Sequence, residues 1–519
     1  MSLKNIKNDL SASLVVFLVA LPLCLGLGLA STQQSDLVFS GIIAGIVGGV
    51  VVGLASGSAI GVSGPAAGLV VIVLGALNTL GSFELLILSV FLAGVIQMIA
   101  GFLKAGIIGY YFPSSVIKGM LAAIGLTLIL KEIPHALGYD KDFMGDFALE
   151  QTDGHNTFTE LFYAFQYNSP GAIIISVISL GLLILFEQSF MKRIGLFKFL
   201  PGALFVVLTG IALNKLFGTA MPDWQLSGEH LVQLPVAGSA SEFVSFFRLP
   251  DFNGLTNPQV YITAITIALV ASIETLLCVE ATDKLDPLKR TTPTNRELKA
   301  QGLGNMISGL IGGLPITQVI VRSSANISAG GTSKVSTICH GLILLLSAIF
   351  IPTFLNQIPL ASLAVILLMV GYKLSKISLY RSMYKLGWHQ FIPFIVTVIA
   401  ILSTDLLKGI GIGMVVAIFF ILRENFRHSY RVKKKPEANG ETVIIHLSEE
   451  VTFLNKASIQ MKLEELPKNS KVIIDGSNSV HIDYDVLEII NEFKLHVAPG
   501  KDITVETVSI PHVELAASH

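Results

Sequence analysis

Runs of apolar residues separated by short polar stretches dominate the chain. Those approaching the roughly 20 residues that a helix needs to cross a bilayer begin near Leu10, Leu37, Leu85, Val116, Ala172, Ala203, Val260, Thr337, Pro393 and Ile410. Four shorter stretches, Ala59 to Leu77, Leu298 to Leu310, Thr317 to Ala329 and Pro359 to Val370, raise the expected number of spans to fourteen. The polar stretches test that count, because cytoplasmic loops are rich in Lys and Arg. With the N-terminus (Lys4, Lys7) inside, the basic loops after span 6 (Lys192, Arg193, Lys198), span 8 (Lys284, Lys289, Arg290, Arg296, Lys299) and span 12 (Lys373, Lys376, Arg381, Lys385) fall inside too. The long loops Tyr139 to Thr157, with Asp140, Asp142, Asp146, Glu150 and Asp153, and Met221 to Asn257 fall outside. An odd number of spans per half makes the second half enter the membrane from the opposite side. Seven plus seven spans therefore predict an inverted repeat, about 10–217 and about 258–424.

Two of the short spans are interrupted by Gly and Pro, at Ser63-Gly64-Pro65-Ala66-Ala67-Gly68 in span 3 and Gly312-Gly313-Leu314-Pro315-Ile316-Thr317 before span 10, about 250 positions apart. Short, broken hydrophobic segments at matching places in two halves mark the binding site of a secondary transporter.

Composition narrows the class. With 52% hydrophobic and 14% charged residues, the chain is far from the roughly 25% charged content of soluble domains and reads as a polytopic membrane protein in contact with lipid. A net charge of -1 supplies no basic excess for nucleic acid. Cys24, Cys278 and Cys339 lie in or beside apolar runs and read as small apolar residues. The first run, Leu14 to Leu29, has no small-residue cleavage pattern and reads as span 1. After residue 430 the pattern changes: a basic linker, 431–436 (Arg431, Lys433, Lys434, Lys435, Pro436), leads to a small α/β domain, 437–519. There, strands are expected at Thr442 to Leu447, Lys471 to Asp475 and Asp502 to Val508, with helices at Ala457 to Leu466 and Asp485 to Phe493.

A bare anion cannot enter hydrocarbon without compensation, and helix N-termini supply it through free N–H groups and the macrodipole. A half-helix starting at Pro65 is expected to aim the amides of Ala66, Ala67 and Gly68 at the membrane centre; one starting after Pro315 aims those near Gln318, Val319 and Ile320 at the same point. Glu274 follows the apolar run Val260 to Ile273 and is deep in the membrane, where a carboxylate is by default a site for a cation or proton. Cys278, one turn on, shares its face. Arg322 either balances Glu274 or attracts the anion. Glu280 and Asp283 read as loop anchors, and His340 and His428 as packing and interfacial residues. No nucleophile, base and orienter set and no metal-ligand spacing appears in the C-terminal module, so neither an enzyme nor a bound cofactor is expected.

Ala20-Leu21-Pro22-Leu23, Ser63-Gly64-Pro65, Ser272-Ile273-Glu274-Thr275-Leu276-Leu277, Pro293-Thr294-Asn295-Arg296-Glu297-Leu298 and Arg322-Ser323-Ser324-Ala325-Asn326 together resemble the sulfate permease (SulP, solute carrier 26) family in its bacterial branch. Val472 to Gly476 and His481 to Asp483 resemble the STAS domain that ends such chains. The resemblance implies fourteen helices in a mobile core (spans 1 to 4 and 8 to 11) and a gate, homodimers, elevator-type alternating access, and a bacterial inner membrane location with the N-terminus and STAS domain cytoplasmic. It implies anion contacts near Pro65, Ala66, Gln318, Val319 and Ile320, to which the reading of the residues adds Ser63, Gly64, Ala67 and Arg322, and a coupling-ion carboxylate (Na⁺ or H⁺) at Glu274, beside which that reading places Cys278. The chain departs from relatives at Leu23 and Leu27 in span 1, at Glu274 and Cys278 where cyanobacterial bicarbonate carriers look like Asp and Thr, and at Asp483-Tyr484-Asp485 in the STAS loop. The expected function is Na⁺-coupled symport of bicarbonate. The alternatives are proton-coupled symport of sulfate or a dicarboxylate, an uncoupled anion channel or exchanger, and a nucleobase permease of the same architecture.

Overall fold

Among the described residues, fourteen helical segments follow the apolar runs. They are α1 (Leu3–Thr32), α2 (Phe39–Val47, continued by a π turn at Gly48–Val52 and by Gly53–Ala55), α3 (Val70–Leu80), α4 (Phe83–Phe102), α5 (Ser114–Leu137), α6 (Pro170–Glu187), α7 (Gly202–Ala220), α8 (Pro258–Leu285), α9 (Thr294–Leu310), α10 (Ile320–Ser328), α11 (Lys334–Phe350), α12 (Leu360–Leu374), α13 (Trp388–Ser403) and α14 (Leu406–Arg427). This computed structural model describes residues 3–144, 149, 156–188, 191, 201–427, 429–437 and 440–511. Lys192, Arg193, Lys198, Asp146, Glu150, Asp153 and His428 lie outside the described residues. Among those described, eight helical stretches are long and apolar enough to cross a membrane, and three more are apolar but shorter. The chain divides into two units, Met1–Met414 and Val415–His519.

Packing in the first unit repeats between its halves. α4 lies against α8 and α9, as α11 lies against α1 and α2; α5 lies against α12 and α13, as α12 lies against α5 and α6. Each relation maps onto the other when the helix number shifts by seven, the signature of the expected repeat. At the centre, where the two breaks meet, Ser63–Pro65 (β1) and Ile316–Gln318 (β2) form a two-stranded antiparallel ribbon. It occupies the one place where extended backbone is tolerated at membrane depth, buried within protein.

The second unit builds on Tyr430–Glu437 (β3), Gly440–Leu447 (β4), Lys471–Asp475 (β6) and Thr504–Val508 (β8), ordered β3-β4-β6-β8, with a separate short pair Glu450–Val451 (β5) and His481–Ile482 (β7). Val443, Ile445, Val472 and Ile474 form its core with Ile459 and Leu463 of α15 (Lys456–Glu464) and Val486 and Ile490 of α16 (Tyr484–Glu492). The basic run 431–436 corrects the expectation of a linker, because it is most of β3 and pairs antiparallel with β4. Tyr430 and Val432 pack on the core, while Arg431, Lys433 and Lys435 are exposed on what is an edge strand. Charged edge residues of this kind discourage pairing with other chains.

Candidate functional site

α9 explains why the ribbon holds its place. Glu297, Gln301, Asn305 and Ser308 are all fully buried and recur at three- and four-residue spacing, so one face of this helix is polar. Gln301 donates to Ser63 Oγ at 2.7 Å. Asn305 takes both backbone groups of Ile316, accepting from its N–H at 2.6 Å and donating to its carbonyl at 3.0 Å. Ser308 donates to the Leu314 carbonyl, and Glu297 accepts from Ser56 and Gly57. A strand of three residues cannot satisfy its own backbone, and these side chains supply the missing partners.

Both half-helices start from this ribbon. Pro65 has no N–H to add to the ladder; after it Ala66 is extended, Ala67–Leu69 makes a 3₁₀ turn, and α3 follows. On the other side Val319 is extended and α10 begins at Ile320. The two ends do not present the amides as expected. The Gln318 N–H donates to Thr275 Oγ1 at 3.3 Å, and the Val319 N–H donates to the Val62 carbonyl at 2.9 Å. Both are consumed in seating the second break, so neither faces an anion. The next residues do better: Gly68 lies against the Glu274 carboxylate, which a Cβ added there would meet at 3.0 Å, and the Cys278 thiol lies beside the Ile320 amide. α8 thus passes both half-helix starts, with Glu274 at one and Cys278, one turn later, at the other. Glu274 is 5% exposed, and its Oε2 has no hydrogen-bond partner among the described residues.

Arg322 is the largest fully buried side chain, and none of its three guanidinium nitrogens has an oxygen or nitrogen acceptor among the described residues. It makes no ion pair with Glu274. Its near neighbours are the Cys24 thiol of α1 and Gly64 of β1, where an added Cβ would collide with the guanidinium. Glycine is required there because the charge lies directly on the ribbon. Burying an unpaired cation is strongly unfavourable, and an anion at this point offsets that cost. His340, also fully buried, hydrogen-bonds the Thr337 carbonyl through Nδ1 at 2.8 Å, while its Nε2 is unpartnered. Asp283 accepts from the Thr292 N–H and hydroxyl and Glu280 pairs with Lys284, so both anchor the loop after α8.

Two cavities flank the site between the proposed core and gate helices. One of about 540 Å³, on the face opposite the N-terminus, is lined by Pro22, Gly26 and Leu29 of α1 and by Asp142, Met144 and Glu229 of the loops. The other, about 270 Å³, lies nearer the N-terminus among Ser11, Val15, Ala325, Ser328 and the paired Glu187 and Lys373. Neither vestibule is lined by a ribbon residue. Of the residues expected from sequence, Ser63, Gly64, Pro65 and Gln318 meet in the ribbon, Ala66, Ala67, Val319 and Ile320 begin the half-helices, and Glu274, Cys278 and Arg322 face them. Gln301, Asn305, Thr275 and Cys24 were not foreseen. The spacing of Glu297, Gln301 and Asn305 within an otherwise weak span carried the signal for the first two.

Broken helices crossing at the centre of an inverted repeat, an unpaired buried cation at the crossing and a C-terminal STAS-like module define an integral multi-pass membrane protein of the anion-transporting class. Residues 6–400 match the profile of the sulfate permease family, and the chain belongs to that family. It is 27% identical over 491 residues to "Putative sulfate transporter YvdB" of Bacillus subtilis, covering 92% of this chain and 87% of that one. It is 24% identical over 419 residues to "Bicarbonate transporter BicA" of Picosynechococcus, covering 80% and 70%. In fold it is similar to the transmembrane domain of a cyanobacterial BicA (TM-score 0.54, 22% identity, 80% of this chain and 98% of that one) and to SLC26A9 (TM-score 0.66, 16% identity, 98% and 85%).

Proposed function

We propose that the protein is a symporter that moves a small inorganic anion together with a cation, the core helices α1–α4 and α8–α11 sliding as an elevator against the gate helices α5–α7 and α12–α14. The anion is bicarbonate, which the likeness to proteins named bicarbonate transporters supports, and the cation is Na⁺. The N-terminus and the STAS domain are cytoplasmic, in line with the basic loops on that side.

One observation carries the coupling: the Glu274 carboxylate lies against Gly68, in the turn that leads into α3. An ionised Glu274 occupies the positive end of that half-helix and repels an arriving anion. A cation bound at Glu274 neutralises it and releases that end to the anion, which Arg322 holds from the other side. Each ion thereby favours the other.

A second reading, proton coupling with sulfate as the anion, is favoured by the chemistry around Glu274. Its neighbours on α8 and in the turn before α3 offer a thiol and an N–H, whereas Na⁺, a hard cation, takes oxygen ligands; a lone carboxylate suits a proton. The name of the Bacillus relative points the same way. Radiolabelled bicarbonate uptake into proteoliposomes, with and without an inward Na⁺ gradient and with sulfate and fumarate as competitors, decides between the readings. Uptake that needs Na⁺ and ignores the competitors supports the first. Uptake driven by a proton gradient or blocked by sulfate supports the second, and flux needing neither gradient removes the symport assignment.

A further inference from the structure

The loop that leaves α5 folds back over the start of α3. Phe143 packs against Leu27 and Ala30 of α1 and Val70 of α3, a cluster that Ala67 also joins. The Met144 carbonyl rests against Gly26 of α1, and Asp142, Phe143 and Met144 all line the 540 Å³ vestibule. Residues 139–144 therefore stand between that vestibule and the amide end of the half-helix.

Two buried polar bridges hold this loop. Lys131 of α5 pairs with Asp142 at 2.9 Å, with side chains 4% and 2% exposed. Asp140, 2% exposed, accepts from two imidazoles at once, His135 Nδ1 at 2.6 Å on one oxygen and His230 Nδ1 at 2.6 Å on the other. His135 is in the last turn of α5, whereas His230 ends a turn, Gly228–His230, in the connection between α7 and α8. Glu132, one turn before His135, is 1% exposed with its Oε2 unpartnered. Lys141 and Glu229 pair at the exposed rim. Structural packing alone would not place so many charges under one short loop, since each costs several kcal/mol to bury unless it is paired.

We propose that Phe143 closes the anion path on this face and that the His135–Asp140–His230 bridge positions it. The bridge responds to protons. The hydrogen bond to Asp140 lifts His230 above the ordinary imidazole range; Asp140, although burial pushes the other way, is held below the carboxylate range by its bonds from His135 and His230. Opening parts these groups, so the closed arrangement holds the imidazole proton of His230 more tightly than the open one. Closure is therefore fully favoured below the ordinary imidazole value of about 6.5 and weakens as pH rises through the raised value of His230.

This inference rests on the proposed function only in placing an anion path between α1 and the gate, and its test reads solvent access, not transport. Hydrogen–deuterium exchange is followed on the full chain in lipid nanodiscs at pH 6 and pH 9, corrected for the intrinsic pH dependence of exchange. In the wild type the amides of residues 66–72 should be protected at pH 6 and exchange faster at pH 9. Phe143→Ala should speed exchange at pH 6 by at least about tenfold, the result of removing a local packing contact. Asp140→Asn and His230→Gln should remove most of the pH dependence. Peptides from α4 and α9 report folding, and if Phe143→Ala disturbs them, Phe143→Leu carries the same test. Wild-type protection in the folded Phe143 variant, or pH dependence surviving in both bridge variants, would overturn the proposal. Intact pH-dependent exchange in a protein that transports no bicarbonate would leave the bridge standing and remove only the substrate assignment.

Discussion

Replacing Arg322 by Met separates a binding cation from a structural one. A structural buried arginine is paired, and deleting it strands its partner at a cost of about 3–5 kcal/mol. Arg322 has no carboxylate to strand, since its guanidinium nitrogens lack oxygen and nitrogen acceptors among the described residues. Met keeps much of the length and removes the charge, a swap that is neutral or stabilising by roughly 1–4 kcal/mol at buried ionic sites. The anion-free variant should therefore unfold at the same temperature as the wild type or higher. Anion binding should move the other way. An anion about 4 Å from the guanidinium gains about 4 kcal/mol at an effective dielectric constant of 20. The half-helix ends survive in the variant, so the net loss is roughly 2–4 kcal/mol, or about 30- to 1000-fold in affinity. Thermal unfolding of the purified full chain, titrated with bicarbonate and separately with sulfate, measures both quantities, because a ligand that binds only the folded state raises stability by RT ln(1 + [L]/Kd). A lower unfolding temperature combined with an unchanged anion-dependent rise would refute the assignment and make Arg322 a packing residue.

Glu274→Gln preserves an acceptor for the Gly68 amide but not the charge; anion uptake should continue down its own gradient and lose its response to Na⁺ and proton gradients, and a response that survived would remove Glu274 from coupling. Gly64→Ala forces the guanidinium of Arg322 off the ribbon without altering any charge, so anion affinity measured by the same titration should fall at least about tenfold, by the loss of one charge-assisted contact. Asn305→Leu leaves the N–H and carbonyl of Ile316 without partners, each costing about 1–3 kcal/mol, and denaturation of the full chain should show a loss of roughly 2–5 kcal/mol; a neutral result would mean that α9 does not hold the ribbon.

How much of this was legible in the sequence varied with the length over which a pattern repeats. Lys471–Asp475 is a short β-branched run and forms the expected strand, residue for residue. Glu274 and Cys278 are one turn apart in a long apolar helix, so their shared face followed from helical geometry alone. The ribbon did not. Ser63-Gly64-Pro65 has none of the β-branched or aromatic residues that mark strands, and it pairs with β2 only because the fold brings segments about 250 positions apart into register. Seating the second break consumed the amides of Gln318, taken by Thr275 of α8, and Val319, taken by the Val62 carbonyl, which sequence had assigned to the anion. The polar face of α9 lay hidden because hydropathy averages over the whole turn and reports only a weak span. In β3 the lysines masked the alternation of Tyr430 and Val432, so an edge strand read as a linker.

The repeat is symmetric in backbone and asymmetric in charge, and the asymmetry bears directly on coupling. The offset of about 250 positions that relates Pro65 to Pro315 also relates Cys24 to Glu274. α1 lies against α10 as α8 lies against α3, so the neutral thiol faces Arg322 while the carboxylate faces the amides of the other half-helix. One end of the crossing is positive and the other negative. With no ions bound, Arg322 and Glu274 cancel. With one monovalent anion and one monovalent cation bound they cancel again, whereas either ion alone leaves a net unit charge in a region of low dielectric. Moving such a charge through the membrane interior costs many kcal/mol, so on the proposed symport reading only the empty and fully loaded core would move freely. That rule is what distinguishes a symporter from a channel. It also weighs on the choice of anion: bicarbonate with one cation satisfies it, whereas sulfate, with two negative charges, requires a second cation or a proton of its own.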